Sequence, residues 1–120
     1  MSVVRIAAIL GFLSVAIGAF GAHALKDSLT DYHKEVFQTA WNYHSLHTLV
    51  ILCLPALNLT SGELRLAAGL FIAGILVFSG SLYLLAITDT RWLGAITPIG
   101  GTLFLLGWGY LVWKLPANSA

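Results

Sequence analysis

Four long uncharged runs divide this sequence, and they restrict the possible folds more than any other feature. The six Lys or Arg residues and five Asp or Glu residues leave uncharged segments at 6–25, 36–62, 66–88 and 92–113. A transmembrane helix needs about 20 predominantly apolar residues, and these runs are too long for barrel strands of about 10 residues. The sequence therefore predicts an all-α integral membrane protein, a four-helix bundle with spans at about 4–25, 37–57, 66–87 and 93–113.

The composition agrees with a membrane protein and excludes several functions. Charged residues make up 9% of the chain and hydrophobic residues 58%, whereas a soluble domain has about 25% charged residues. The net charge of +1 offers no basic surface for nucleic acid, and the single cysteine, Cys53, cannot take part in a paired-thiol reaction. We therefore expect one membrane domain over 1–120 that contacts membrane lipids, with no cofactor, no metal and no nucleic-acid partner.

The first apolar run has a second interpretation, as a cleaved secretory signal. Arg5 precedes the run, and Ala22-His23-Ala24 matches the A-x-A pattern of a cleavage site. The apolar stretch over 6–22 is longer than the usual core of a signal peptide, which has about 7 to 15 residues. A retained first helix is therefore the preferred interpretation.

The basic residues leave the orientation of the spans nearly balanced. With four spans, three of them fall at each end of the bundle: Arg5, Arg65 and Lys114 at one end, and Lys26, Lys34 and Arg91 at the other. The positive-inside rule compares these two sets, which are equal. The N-terminal amine, together with four of the five acids at the end opposite the termini, favours cytoplasmic N- and C-termini.

A polar stretch over 26–38 follows the first span. Apolar residues recur at helical spacing on one side of it: Leu25, Leu29, Tyr32 and Val36. Ser28 to Asp31 has the S-x-x-D form that begins many helices. The pattern predicts an amphipathic interfacial segment that leads into the second span. Its preferred role is a connector that shields the end of the bundle, and docking of a partner is the alternative.

Small residues form a stripe along the first span. They recur at spacings of three and four: Gly11, Ser14, Gly18 and Gly21. Helices in lipid associate by close packing of small residues. The stripe therefore predicts that the first helix lies at the centre of the bundle or in a subunit interface.

Pro98, Gly100 and Gly101 interrupt the fourth run. Proline lacks a backbone N–H and glycine is conformationally permissive, so both disturb a regular helix. We expect these three residues to kink the fourth helix or to mark its true start, with 92–96 as a separate short piece.

The second span carries ionisable residues within the membrane, where they are costly and are candidates for function. His44 and His47 are three residues apart and share a helix face. His23 closes the first span and could meet them where the helices converge. The candidate polar cluster has five members: His23, Asn42, Tyr43, His44 and His47.

Four interpretations of this cluster are open. In the preferred one, neutral His44 and His47 bond to backbone carbonyls, Ser14 or Tyr83 and fix the register of the helices. Otherwise the cluster forms a proton or solute path, holds a metal or haem through two or three histidines, or binds a head group or quinone. No acid lies in the middle of a span, and no Ser-His-Asp set can be assembled there, so an enzyme is the weakest hypothesis.

Four segments resemble a known family. They are Gly-Ala-Phe-Gly-Ala-His-Ala-Leu at 18–25, Phe-Gln-Thr-Ala at 37–40, Tyr-His-Ser-Leu-His at 43–47 and Thr-Pro-Ile-Gly-Gly at 97–101. Together they resemble the domain-of-unknown-function family 423, small bacterial inner-membrane proteins related to the eukaryotic transmembrane protein 256. The resemblance implies a four-span protein of the bacterial plasma membrane and carries no activity or catalytic residue. The residues at its motif positions are His23, Tyr43, His47, Pro98 and Gly100.

Two functions remain as hypotheses. The first is a non-enzymatic plasma-membrane protein that acts through protein interaction or lipid contact, as a homo-oligomer through the small-residue face of the first span or with another membrane protein. The alternative is a small-solute or proton conduit lined by His23, Asn42, His44 and His47. A conduit needs these residues around a continuous polar cavity, whereas a packed bundle buries them with their hydrogen bonds made.

Overall fold

The chain folds into helices joined by turns. A computed structural model describes residues 1–116, and within them the helices are α1 (Val3–His23), α2 (Asp31–Cys53), α3 (Ser61–Gly74), α4 (Gly80–Thr88) and α5 (Thr97–Lys114). A π-helical turn, Ile75–Ser79, joins α3 and α4 into one continuous rod. The four rods that result confirm the prediction of an all-α, four-helix bundle.

Three of the four rods are long and apolar enough to span a membrane: Val3–His23, Ser61–Thr88 and Arg91–Lys114. The other rod, α2, has 23 residues, which is sufficient for a bilayer. Polar side chains occupy much of its N-terminal half, and α2 therefore cannot face lipid all round.

The polar helix α2 is an inner helix of the bundle. It packs against α1 on one side and against the α3–α4 rod on the other, and that rod in turn packs against α5. By contrast, α1 packs mainly on α2, and its buried residues are Ala7, Leu10 and Ser14. The prediction that the first helix lies at the centre is therefore wrong. The apolar side chains of α1 are compatible with lipid, whereas the polar side chains of α2 need protein partners.

Aromatic rings fill the space next to glycines where helices meet. A Cβ on Gly107 of α5 would lie 2.7 Å from the Phe71 ring of α3, and a Cβ on Gly18 would lie 2.7 Å from Nε1 of Trp41. Four pairs of this kind join the helices: Trp41 on Gly18, Phe37 on Gly21, Phe104 on Gly74 and Phe71 on Gly107. The small-residue face of α1 thus contacts α2 of the same chain, and the homo-oligomer expected through this face stays a prediction.

The connection between α1 and α2 is a turn. Residues 24–30 are not helical, and α2 begins at Asp31, where the Thr30 side chain accepts a hydrogen bond from the backbone N–H of His33. The predicted interfacial segment over 26–38 is therefore non-helical in its first part, and the rest of it is the beginning of α2. Thr30 supplies the N-cap that was expected at Ser28.

The fourth span begins at its proline. A 3₁₀ turn, Arg91–Ala95, precedes α5, and Pro98 lies in the first turn of that helix, where a backbone N–H has no helical partner. Of the two alternatives for this region, the structure has the true helix start. Gly100 packs directly on the π turn, because a Cβ there would lie 2.6 Å from Cα of Phe78. Gly101 has more room, with Phe78 at 3.8 Å.

We expect Gly100→Ala to destabilise the bundle. The added methyl group would overlap the backbone of Phe78, which cannot rotate aside, so α5 must move outward at a cost of about 2 kcal/mol. Gly109→Ala is the matched control, because nothing lies within 4 Å of its Cβ position and alanine is the better helix former. Thermal unfolding in detergent compares the variants, and an unchanged melting temperature for Gly100→Ala would contradict the contact.

Candidate functional site

His44 connects three helices from the middle of α2. Its Nε2 lies 2.9 Å from the Leu10 carbonyl oxygen of α1, and its Nδ1 lies 2.9 Å from the Tyr83 hydroxyl of α4. A carbonyl can only accept, so Nε2 carries the proton, and Nδ1 of the neutral ring accepts from the Tyr83 O–H. The His44 residue is 3% exposed. Of the partners expected for His44, the structure has a backbone carbonyl and Tyr83, but not Ser14.

His47 makes the corresponding link to α5. Its Nδ1 donates to the Tyr43 carbonyl at 2.8 Å, one turn earlier in α2, and its Nε2 accepts from the Trp108 indole N–H at 3.1 Å. The ring also stacks on Phe104, with 3.8 Å between centroids and 11° between planes. These contacts describe a neutral imidazole whose proton is on Nδ1, the opposite tautomer to His44.

Further hydrogen bonds tie α2 to its neighbours. Trp41 donates from its indole nitrogen to the Ser14 carbonyl at 2.9 Å, and the hydroxyls of Ser14 and Ser45 lie 2.7 Å apart. On the other side, the buried Ser79 hydroxyl of the π turn donates to the Ala40 carbonyl at 2.7 Å. Within residues 1–116, every buried side-chain nitrogen and oxygen has a hydrogen-bond partner. We call these bonds, together with those of His44 and His47, the α2 network.

The predicted cluster is only partly assembled. Tyr43, His44 and His47 lie together, and the Tyr43 ring also contacts Phe78 at 4.6 Å between centroids. Asn42 is exposed and accepts a hydrogen bond from the Gln38 side chain at 2.8 Å. His23 is exposed at the end of α1, thirteen residues, or about 20 Å, from the Leu10 carbonyl that holds His44.

This placement limits the chemistry of the cluster. A conduit was expected to be lined by His23, Asn42, His44 and His47. Two of these four residues, His23 and Asn42, are exposed on the outside of the bundle and cannot line an interior path. Both ring nitrogens of each central histidine are already engaged, so binding a metal would break part of the α2 network. Among residues 1–116, no three His, Cys, Asp or Glu side chains are grouped closely enough to hold a metal ion.

A second polar contact lies at the end of the bundle opposite the start of α1 and the end of α5. His33 donates from Nε2 to the Asp89 carboxylate at 2.9 Å, and its Nδ1 lies 2.8 Å from the Thr30 hydroxyl. Asp89 ends α4 in the left-handed conformation, with φ of 55°. The hydrogen bond from His33, with a smaller contribution from Arg91, holds the pKa of the Asp89 carboxyl below its usual value. The pair links the start of α2 to the end of α4.

Comparison with known proteins identifies the family. A family profile described as "Protein of unknown function (DUF423)" matches residues 17–101, which include the C-terminal end of α1, all of α2, α3 and α4, and the beginning of α5. The chain belongs to the DUF423 family. No solved structure matches it.

Relatives of this DUF423 chain are named as membrane proteins. It is 46% identical over 101 residues to a UPF0382 membrane protein of Staphylococcus epidermidis, covering 83% of each chain. It is 42% identical over 108 residues to the UPF0382 membrane protein YwdK of Bacillus subtilis, covering 88% of each. A Haemophilus influenzae UPF0382 membrane protein is 42% identical over 102 residues, covering 84% of this chain and 82% of its own. With its apolar helices, the DUF423 chain is a membrane protein.

We expect His44 and Tyr83 to be energetically coupled. Hydrogen bonds within membranes contribute about 0.6 kcal/mol on average and up to about 1.7. A double-mutant cycle of His44→Phe and Tyr83→Phe should therefore give a coupling in this range when unfolding is followed in mixed micelles. The matched control replaces Tyr83→Phe by Tyr110→Phe, whose ring contacts Trp113. Additive effects of the His44 and Tyr83 changes would show that the bond adds no stability.

We expect Asp89→Asn to destabilise the DUF423 protein at pH 7 but not in acid. Because its folded-state pKa is lowered, Asp89 adds stability above its unfolded pKa of about 4 and loses this stability as the pH falls through the folded value. Asparagine tolerates the left-handed conformation, so the substitution tests the charge.

The measurement is the melting temperature of both proteins from pH 7 down to pH 3. The control repeats this comparison in a His33→Leu background. The Asp89 carboxylate then lacks its main hydrogen-bond donor, so the melting temperatures with and without Asp89→Asn should approach each other. If Asp89→Asn lowers the melting temperature by the same amount at pH 3 as at pH 7, the charge of Asp89 does not stabilise the fold.

Proposed function

We propose that this protein is a non-enzymatic protein of the bacterial inner membrane that acts through contact with lipids or with another membrane protein. The observation that carries the proposal is the complete pairing of the buried polar atoms within residues 1–116. The polar side chains of α2 that face the other helices hold those helices together. What the protein offers to its surroundings is therefore its outer surface, which presents large apolar side chains such as Phe12, Val15, Leu105 and Val112.

The chemistry of His47 supports this proposal over a proton path. A relay group must gain and lose a proton. A second proton on His47 would lie on Nε2, which already faces the N–H of Trp108, and two donors cannot share a hydrogen bond. His47 would have to leave Trp108 and its stack on Phe104 to carry a proton.

We further propose that both termini are cytoplasmic. The helices alternate in direction, so residue 1 and the end of α5 lie at the same end of the bundle. Four of the five acids lie at the other end, together with the His33–Asp89 pair. The named relatives come from bacteria, which supports placing the chain in a bacterial plasma membrane.

A flux experiment tests the closed interior. We expect liposomes that contain the purified protein and an internal pH dye to dissipate a pH step no faster than empty liposomes, because His47 would have to leave Trp108 to take up a second proton. A protonophore added at the end is the positive control for dye and gradient. A faster decay that is lost in His47→Phe but kept in His23→Phe would overturn the proposal in favour of a conduit.

A further inference from the structure

A groove runs between the C-terminal half of α1 and the N-terminal half of α2, and we call it the α1–α2 groove. It is lined by Gly18 and Gly21 of α1 together with Phe37 and Trp41 of α2, whose rings pack on those glycines, and its volume is about 420 Å³. Cavities that bind small molecules measure about 300 to 1,000 Å³. The aromatic rings and the helix surface beside them make much of the lining apolar, so the groove suits a hydrocarbon chain.

The charged side chains that line this groove are all positive, although acids are close to them in the sequence. The stretch 26–35 contains three acids and two lysines, a net charge of −1. Both lysines, Lys26 and Lys34, line the groove, and none of the acids does. Neither lysine forms an ion pair with any residue from 1 to 116. The groove therefore has two free ammonium groups at its rim although the surrounding stretch is acidic.

The two lysines and the apolar walls are at different depths. Lys34 is seven residues before Trp41 in α2, which corresponds to about 10 Å along the helix axis. The polar headgroup region of a bilayer is about 5 to 8 Å thick on each side of the hydrocarbon core. With Lys34 among the headgroups, Trp41 lies at the edge of the hydrocarbon. The groove thus has cationic groups where a lipid has its phosphate and an apolar surface where it has its acyl chain.

We propose that the α1–α2 groove binds a phospholipid with an anionic headgroup. The headgroup lies between the ammonium groups of Lys26 and Lys34, and an acyl chain lies along Gly18, Phe37 and Trp41. This proposal rests on the proposed function and names the lipid class that it would involve.

A second groove on the molecule provides an internal comparison. It lies between α2 and α5, has a volume of about 490 Å³, and is lined by Tyr43, His47 and Trp108 among others. Its lining includes no Lys, Arg, Asp or Glu. Apolar lipid chains can lie in either groove. Of the two, only the α1–α2 groove has charged side chains that can distinguish an anionic headgroup from a neutral one.

The test measures lipid selectivity of the full-length protein in detergent by native mass spectrometry. Phosphatidylglycerol and phosphatidylcholine with identical acyl chains are offered in competition. A lysine near an anionic lipid contributes about fivefold in affinity, so we expect a preference for phosphatidylglycerol of about 25-fold and its loss in Lys26→Gln/Lys34→Gln. Lys114→Gln, at the other end of the bundle, is the matched control and should keep the preference.

Two further measurements test whether binding requires both the headgroup and the acyl chain. Soluble glycerol phosphate should not compete, because it lacks an acyl chain, and Ala22→Phe, which fills the groove from its α1 wall, should weaken binding of phosphatidylglycerol. The charge-conserving Lys26→Arg/Lys34→Arg variant should retain the preference, which shows that a loss in the glutamine variant is not caused by misfolding.

Equal retention of both lipids by the unaltered protein would overturn the proposal. Competition by glycerol phosphate would do the same, since it indicates a site for phosphate alone, and so would an equal loss of preference in Lys114→Gln. None of these results affects the outcome of the flux experiment. The lipid site can therefore be disproved without disproving the absence of proton flux, and proton flux can be found without disproving the lipid site.

Discussion

The arrangement of the helices depends on the need of α2 for hydrogen-bond partners inside the membrane. Lipid offers none, so each buried polar side chain of α2 must bond within the bundle. His44 bonds to α1 and α4, His47 to α5, and the Ala40 carbonyl receives the Ser79 hydroxyl of the π turn. With α2 between α1 and the α3–α4 rod, and with His47 reaching Trp108 of α5, all of these bonds can form at once. The opposite side of α2, which exposes Leu46 and Leu49, is apolar and can face lipid.

Close approach between helices is what allows those bonds to form, and glycine provides it. The Trp41 ring fits against Gly18, and its indole N–H reaches the Ser14 carbonyl four residues away along α1. A larger residue at 18 would push the ring outward and break that bond. The same relation holds on the other side, where Gly100 lets α5 contact the backbone of the π turn. Packing and hydrogen bonding are therefore not independent contributions here.

The sequence predicts the number of rods and some of the site, but not the order of packing. Charges at the ends of uncharged runs are sufficient to locate helices in lipid, and the need to pair a buried histidine is sufficient to propose backbone carbonyls, Ser14 or Tyr83 as its partners. The small-residue stripe of α1 shows that a close contact exists, but it does not show with which helix. Two features had no local signal: the pairing of His33 with Asp89, 56 residues apart, and the π turn, for which the Ser-Gly-Ser stretch at 79–81 is at most a weak indication.

The non-helical connection between α1 and α2 has a consequence for the outer surface. In a continuous helix over 26–38, Asp27, Asp31 and Lys34 would follow one another at spacings of four and three on one face, where opposite charges neutralise each other. Because the helix begins at Asp31, Lys26 lies in the turn before it and lines the same groove as Lys34. The buried side-chain nitrogens and oxygens of residues 1–116 are all paired, so the charges at the ends of the bundle, rather than the buried histidines, distinguish one part of its surface from another.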